Sequence, residues 1–339
     1  MLMTVQDLSV VFETDRGPLH AVRGVSFELE PGKTLGIVGE SGSGKTALAR
    51  ALMGIVKNPP GRIAGGSVLF EGRDLVQLSE REMEDVRGSQ IGFIFQDPMV
   101  SLNPVMRVGL QVAEGIFAHD SQIRKEEVRR RVLALFKSVR LPNPERCYSM
   151  YPHEMSGGMR QRVQIAIAVA NSPRLVIADE PTTALDVTVQ AQVLETLKEI
   201  QADSGTAMIF ISHDLALMRT VADQIIVMYA GRIVEQGATN AVLDFPSHPY
   251  TAALLAAAPT LKSRGRRLSV IPGNLPSPLL LEDGCSFEAR CYLSLNRAEC
   301  GARPVLAEVG ELGSSSACHF SQEVSVQSTN FGDGGENVS

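Results

Sequence analysis

Apolar and polar residues alternate in short runs through the first third of the chain. The runs "LSVVFET", "AVRGVSFELE" and "GGSVLFEGRDL" are separated by glycine and proline turns. Alternation with a period of two is typical of strands that bury one face. The pattern predicts an N-terminal lobe of antiparallel β-structure.

Four later runs are continuously apolar, namely "QIGFIF", "RLVIAD", "TAMIFIS" and "DQIIVMY". Such runs are typical of strands that are covered on both faces. Helical patterns separate several of them, and in "VTVQAQVLETLKEIQAD" the positions Val189, Val193, Leu197 and Ile200 recur at spacings of three or four. Alternating strands and helices predict an α/β domain built on a mainly parallel sheet.

Three changes of pattern divide the chain. Residues 97–170 interrupt the strand rhythm and are predicted to form a helical subdomain, so the core is expected over 1–96 and 171–245. Prolines then mix with short apolar runs, which predicts a small C-terminal accessory domain over 246–320 that contains four cysteines. The polar, glycine-rich residues 321–339 are predicted to be a disordered tail.

Composition narrows the function classes. The 339 residues are 44% hydrophobic and 21% charged, which is an ordinary balance for a soluble globular protein. A net charge of −6 argues against general binding of nucleic acid, which requires a basic surface. The start lacks a secretory signal pattern, and no apolar run approaches the roughly 18 residues of a membrane span, so a cytosolic protein is expected.

The stretch "GESGSGKT" fits the phosphate-binding pattern G-x-x-x-x-G-K-[ST], and it lies between a predicted strand and a predicted helix. In such a loop the backbone N–H groups turn inward around phosphates, the lysine reaches the β and γ phosphates and the threonine ligates Mg²⁺. The alternative is a glycine-rich turn without a nucleotide. The residues expected to contact ATP here are Gly39, Ser41, Gly42, Ser43, Gly44, Lys45, Thr46 and Ala47.

A second candidate element is "RLVIADEP", which places Asp179 and Glu180 at the end of an apolar strand. In a phosphate-loop ATPase an acid at this position holds Mg²⁺, and a neighbouring carboxylate orients or deprotonates the attacking water. A parallel sheet would bring this strand end to the same edge as Lys45.

The segment "MSGGMRQRVQIAIAVA" resembles the signature of ATP-binding cassette (ABC) proteins, here through Ser156, Gly157 and Gly158. The other elements of the cassette occur in the expected order. They are Phe12 for the aromatic that stacks on adenine, Gln96 for the Q-loop, Asp186 for the D-loop and His213 for the switch histidine. The alternative for Phe12 is a core aromatic of an edge strand.

Within that family the chain is more similar to the ATPase subunits of oligopeptide and dipeptide importers, a group that includes nickel importers. The segments "QDPMVSLNP", "YPHEMSGGMRQR", "DEPTTALDVTVQAQ" and "HPYTAALL" carry this resemblance. It implies Glu180 as the base that polarises water, and Lys45 and His213 as ligands of the γ-phosphate. Thr46, Gln96 and Asp179 would surround Mg²⁺.

The resemblance also implies partners. Two cassettes would lie head to tail, so that Ser156 and Gly158 act on the nucleotide of the other cassette. The expected partners are a second ATPase subunit that is a paralogue, two transmembrane permeases and an extracytoplasmic substrate-binding protein, with a homodimer of this ATPase as the alternative. The chain itself is expected at the cytoplasmic face of the inner membrane. Peptide is the expected cargo, with nickel or another small solute as the alternative. An ABC ATPase acting on nucleic acid or ribosomes is less favoured, because the chain has one cassette, a short helical insertion and an acidic balance.

Four of the five cysteines lie near the C-terminus, as Cys285, Cys291, Cys300 and Cys318. The gaps of five, eight and seventeen residues do not contain the C-x₂₋₄-C pairs usual in zinc knuckles, and ligation by four cysteines is the rule for iron–sulfur clusters. Several importers that this region resembles carry a [4Fe-4S] cluster, although their second gap is more often six residues. A [4Fe-4S] cluster is therefore predicted, with zinc or no metal as alternatives.

Overall fold

The structure, a computed structural model, describes residues 1–183, 185–257, 271–279, 284–295, 297–310 and 313–324. The strands are β1 Met3–Thr14, β2 Gly17–Leu29, β3 Thr34–Val38, β4 Gly61–Phe70, β5 Arg73–Asp74, β6 Ile91–Ile94, β7 Leu175–Asp179, β8 Ala207–Ser212, β9 Gln224–Tyr229, β10 Arg232–Ala238, β11 Ala307–Val309 and β12 Ser314–Ser316. The α-helices are α1 Lys45–Leu52, α2 Glu80–Val86, α3 Pro98–Ser101, α4 Val108–His119, α5 Lys125–Ser138, α6 Pro144–Ser149, α7 Gly157–Ala168, α8 Val187–Ser204, α9 Leu215–Val221, α10 Thr239–Asp244 and α11 Pro249–Ala257.

The N-terminal lobe is an antiparallel sheet with the strand order β2-β1-β4-β5. Alternating residues on β1 (Met3 and Val5) and on β2 (Val25, Phe27 and Leu29) are buried, because that face packs on the apolar cluster that also contains residues of α1. The alternation in the sequence therefore predicted this lobe correctly.

The larger sheet has eight strands in the order β11-β12-β10-β9-β3-β8-β7-β6. The five strands from β9 to β6 pair in parallel, and β3, β7 and β8 are buried along their whole length. Two apolar clusters, one on each face, account for the continuously apolar sequence of these strands. This arrangement confirms the predicted α/β architecture, and it brings the carboxyl ends of β3, β6, β7 and β8 to one edge.

Helices α3 to α7 lie between β6 and β7 in the chain. In α5, Val128, Val132 and Phe136 are buried at spacings of four, and they pack in the same apolar cluster as residues of α4 and α7. Among the described residues, no helix combines the length and the apolar character that crossing a membrane requires.

The C-terminal region adds to the core sheet. Strand β12 pairs with β10 and with β11, so residues far along the chain extend the sheet on its antiparallel side. Between α11 and β11 the described segments contain only short 3₁₀ turns, at Glu288–Arg290 and Ala298–Gly301. Residues 325–339, most of the predicted tail, lie outside the described residues.

Candidate active site

The phosphate-binding loop, Gly39 to Thr46, connects the buried strand β3 to helix α1. Gly44 precedes the helix at φ 104°, in the left-handed region that favours glycine, and a Cβ atom there would collide with the carbonyl oxygen of Ala21. The loop can therefore approach a phosphate with its backbone because the sequence has no side chain at this position. Ala47 follows in the first turn of the helix.

Lys45 points back across the loop. Its Nζ donates to the carbonyl oxygens of Gly39, at 2.7 Å, and Glu40, at 2.9 Å. Burial lowers the pKa of Lys45, and the carboxylates of Glu180, Asp179 and Glu40 oppose that effect. An ammonium held within the loop beside carboxylates is suited to bind the negative oxygens of a nucleotide phosphate.

Ser41 and Ser43 lie in the same loop in different surroundings. Ser41 is exposed, whereas Ser43 is fully buried and its Oγ has no hydrogen-bond partner among the described residues. A buried polar atom without a partner costs free energy unless something else satisfies it. Together with the glycines and Lys45, this hydroxyl fits a loop that binds phosphate oxygens.

Thr46 and Asp179 meet at the edge of the sheet, although they are 133 residues apart in the sequence. The Thr46 hydroxyl donates to Oδ1 of Asp179 across 3.3 Å, and burial raises the pKa of the Asp179 carboxyl. A hydroxyl and a carboxylate in contact beside a phosphate loop are oxygen ligands of the kind that Mg²⁺ prefers. These residues fit the predicted magnesium site.

Glu180 lies at the centre of the remaining polar groups. Its Oε2 accepts from Gln96 Nε2 at 3.0 Å and from Thr183 Oγ1 at 2.8 Å, and its Oε1 lies 3.5 Å from Nδ1 of His213. Residues Gln96 and His213 follow β6 and β8, so neighbouring parallel strands deliver all of these side chains to one edge. Sequence reasoning missed Thr183, whose only signal was its position three residues after Glu180.

The side chains of Gln96, Glu180 and His213 line a cleft of about 720 Å³ beside the phosphate-binding loop, which we call the P-loop cleft. The described residues that line it are Gly39, Glu40, Ser41, Gln96, Glu180, His213, Leu254, Gly273, Asn274, Leu275 and Arg290. The last five belong to the C-terminal region, and sequence reasoning did not connect them with the nucleotide. Their distance along the chain left no local pattern that could have indicated it.

The signature residues lie elsewhere. Ser156 caps α7 by accepting from the N–H of Met159, and Gly157 and Gly158 form the first turn of that helix. Asp186 caps the neighbouring helix α8. The described lining of the P-loop cleft includes none of these four residues.

Phe12 is half-buried on β1 and packs against the apolar cluster of the N-terminal lobe. Strand β1 lies between β2 and β4 and is therefore an inner strand, which makes the edge-strand interpretation wrong. A Cβ atom on Gly61 would lie only 2.6 Å from the Phe12 ring, so the ring covers that glycine. Its stacking on adenine stays a prediction.

The four late cysteines are close enough to influence one another electrostatically. The N–H of Cys285 donates to the carbonyl oxygen of Cys300 at 2.9 Å. Burial, together with the charges of neighbouring late cysteines, raises the pKa of Cys285 to about 11 and that of Cys318 to about 12. Burial also raises the pKa of Cys291 and Cys300. A metal must therefore displace protons from these thiols when it binds.

The arrangement of these thiols bears on the kind of metal they fit. A zinc site places four sulfurs about 2.3 Å from one ion. Within the described stretches, no three His, Cys, Asp or Glu side chains form a group that could hold a single ion. An iron–sulfur cluster distributes its thiolate ligands over several irons. The choice between a cluster, zinc and no metal stays a prediction.

Comparisons with known proteins show which family the chain resembles. The sequence profile described as ABC transporter matches residues 22–183, and the profile of the oligopeptide/dipeptide transporter C-terminal region matches 234–300. The oligopeptide transport ATP-binding protein OppD of Bacillus subtilis is 52% identical over 85% of this chain and 81% of its own length. The probable peptide ABC transporter ATP-binding protein y4tR of Sinorhizobium fredii is 46% identical over 96% of both chains.

A solved structure shares the fold. The dimeric ATP-binding cassette MJ0796, in a post-hydrolysis state bound to ADP and Pi, superposes with a TM-score of 0.63 and 26% identity. The match covers 70% of this chain and 98% of the cassette.

Proposed function

Because this chain belongs to the ABC transporter family, we propose that it is the subunit that hydrolyses ATP to drive peptide uptake through separate permeases. The observation that carries the proposal is the position of Glu180, which Gln96, Thr183 and His213 surround beside the phosphate loop. The oligopeptide-transport relatives support the choice of peptide as cargo.

The hydrolytic step follows from the side chains of the P-loop cleft. Glu180 orients a water molecule and accepts its proton while the water oxygen bonds to the γ-phosphorus, and the bond to the bridging β–γ oxygen breaks. Lys45 and His213 stabilise the charge on the γ-phosphate oxygens. Gln96 and Thr183 hold the Glu180 carboxylate in place.

Thr46 and Asp179 would hold Mg²⁺, with Gln96 in its surroundings. When bound, the ion neutralises charge on the phosphate oxygens. The chain contributes the hydroxyl–carboxylate contact of 3.3 Å that keeps both ligands on one side of the phosphate loop.

The signature residues Ser156, Gly157 and Gly158, together with Asp186, act on the nucleotide of a second cassette. The dimeric structures of a similar cassette support a pair of cassettes. The partner is proposed to be a paralogous ATPase subunit.

An apolar surface beside Gln96 is suited to receive the permeases. Exposed large apolar side chains gather after β6 and at the start of the helical subdomain, namely Phe95, Met99, Val100, Val105 and Leu110. Exposed apolar groups concentrated in one short stretch mark an interaction site. Two permeases and an extracytoplasmic binding protein would place the chain at the cytoplasmic face of the inner membrane.

The cysteines Cys285, Cys291, Cys300 and Cys318 are proposed to hold a [4Fe-4S] cluster that stabilises the C-terminal region. The proximity of the other three cysteines to Cys318 supports a shared metal site, and the spacing of the cysteines in the sequence favours a cluster over zinc. Anaerobic purification followed by visible absorption and metal analysis tests it. Broad absorption with about four irons per chain supports the cluster, and a colourless protein with stoichiometric zinc contradicts it.

The transport function is tested with the complete complex in proteoliposomes that contain ATP on the cassette side. We expect uptake of a labelled peptide that requires both ATP and the peptide-loaded binding protein. Uptake of nickel without uptake of peptide would contradict the choice of cargo. Copurification of the chain with nucleic acid or ribosomes, without permeases, would contradict transport.

A further inference from the structure

A buried ion pair joins the cysteine segment, defined as residues 284–300, to the phosphate-binding loop. Arg290 forms a two-pronged pair with Glu40: Nη1 donates to Oε2 at 2.7 Å and Nη2 donates to Oε1 at 3.0 Å. The two residues are 250 positions apart in the sequence. The Arg290 side chain is only 5% exposed and that of Glu40 is 29% exposed, so solvent reaches the pair from the Glu40 side.

The remaining donors of Arg290 fix its orientation. Its Nε donates to the carbonyl oxygen of Pro272 at 2.8 Å, and Nη1 also donates to the hydroxyl oxygen of Tyr229 at 3.3 Å. Because several N–H groups of the planar guanidinium are hydrogen-bonded at once, its orientation is fixed. A lysine ammonium cannot form the same set of hydrogen bonds. Arg290 therefore joins the cysteine segment to Glu40 with its guanidinium in one fixed orientation.

Glu40 in turn controls part of the phosphate loop. Its backbone N–H donates to the hydroxyl of Tyr250 at 2.8 Å, and its carbonyl oxygen accepts from Lys45 Nζ at 2.9 Å. The same carbonyl accepts from the N–H of Ser43 at 3.2 Å. A shift of Glu40 would thus move the acceptor that orients Lys45 and a turn inside the loop.

The cysteine segment is packed firmly on the other side of this contact. Phe287 is buried, and its ring lies 5.2 Å from that of Tyr229 and 5.3 Å from that of Tyr250. The 3₁₀ turn that carries Arg290 lies between Cys285 and Cys291, and the N–H of Cys291 closes it by donating to Glu288. A change in how these cysteines are held therefore reaches Arg290 through one short turn.

We propose that Arg290 is a positioning residue for nucleotide binding, through which the cysteine segment holds the phosphate loop in its binding shape. The proposal rests on the ATP site of the proposed function and is independent of the cargo. It can therefore fail while peptide uptake is observed, and the reverse also holds.

The test measures binding of a fluorescent ATP analogue with Mg²⁺ to the purified full chain. Arg290→Gln and Glu40→Gln are each expected to weaken binding about tenfold, the effect of losing one charge-assisted hydrogen bond. The double variant is expected to bind no more weakly than either single variant, because both remove the same contact. Arg290→Lys should give an intermediate affinity, and it serves as the readout if Arg290→Gln does not fold.

The matched control is Arg297→Gln. Arg297 lies in the same segment and forms a two-pronged pair with Glu323, at 3.0 and 2.9 Å, away from the phosphate loop. We expect its loss to change ATP affinity by less than about twofold, as for other pairs near the surface. Equal weakening by Arg290→Gln and Arg297→Gln would show general loosening of the segment and would overturn the proposal. Additive effects of Arg290→Gln and Glu40→Gln would do the same.

A second arm tests the link to the cysteines. Cys291→Ser is expected to weaken ATP binding about threefold in the wild-type background, within the range of coupling between connected sites, and to add nothing in the Arg290→Gln background. No weakening in the wild-type background, or equal weakening in both, would show that the cysteines do not act through Arg290.

Discussion

The P-loop cleft and the cysteine segment are held in place in different ways. Buried parallel strands place the groups of the ATP site. The phosphate loop follows β3, Asp179 is the last residue of β7, and His213 follows β8. The cysteine segment has only 3₁₀ turns of its own. Side chains from other parts of the molecule hold it, as when Phe287 packs on Tyr229 and Arg290 pairs with Glu40.

This difference shows what fixes the positions of the side chains in each region. Neighbouring parallel strands fix their carboxyl ends relative to each other, so a few motifs at strand ends define the cleft. A region without regular elements depends on individual contacts, and its geometry can change when one of them is lost. The same physical contrast separates what was predictable in this chain from what was not.

Among variants that leave Glu180 in place, the largest effect is expected in the P-loop cleft. Lys45→Ala removes the ammonium that reaches the phosphates, and we expect kcat/KM for ATP to fall by about 10²- to 10³-fold. Steady-state phosphate release measures this. The metal content of the cysteine segment should stay unchanged, since Lys45 does not contact it. Unchanged hydrolysis in a folded variant would contradict the assigned site.

The sequence predicted the architecture and the cleft better than it predicted the C-terminal region. Continuous apolar runs identified β7 and β8, and the phosphate-loop motif located Lys45, because these signals are local. The contact of Arg290 with Glu40 has no local signal. Its partners are 250 residues apart, and no spacing rule connects them. The pairing of β10 with β12 was unpredictable for the same reason.

The next expected effect is a pH dependence of stability, and it arises from Glu235 of β10. Its carboxylate is buried and accepts from the N–H groups of Ser247, at 2.6 Å, and His248, at 3.1 Å. Burial raises the pKa of Glu235 from 4.5 to about 7. Between these two pH values the folded protein keeps the Glu235 proton, whereas the unfolded chain releases it. The contribution of this proton to the free energy of unfolding is therefore complete below about pH 4.5 and is lost as the pH rises to about 7.

Glu235→Gln should remove this fall in the free energy of unfolding, which amounts to roughly 3 kcal/mol between about pH 4.5 and 7. Urea unfolding at several pH values between 5 and 8 measures it. Burial lowers the pKa of His248 to about 3, which produces a slope of opposite sign, so the difference between wild type and variant isolates Glu235. Glu308→Gln, on the exposed part of β11, is the matched control. The same slope in Glu235→Gln as in wild type would contradict the account.

The smallest expected effect tests whether Phe12 belongs to the ATP-binding site. If Phe12 stacks on adenine, Phe12→Ala should weaken ATP binding by about tenfold, because base–aromatic stacking is lost. Phe12→Tyr keeps the ring and should bind nearly as well as wild type. Equal ATP affinity for both variants would mean that the ring only covers Gly61 and the apolar cluster of the N-terminal lobe.

The central claim is that Glu180 performs the hydrolytic step, and single-turnover phosphate release by the assembled complex tests it most directly. Glu180→Gln keeps the side chain's shape but removes the base, so we expect the rate to fall by about 10²- to 10⁴-fold while ATP binding is retained. A Glu180→Gln complex that releases phosphate at the wild-type rate would contradict the account.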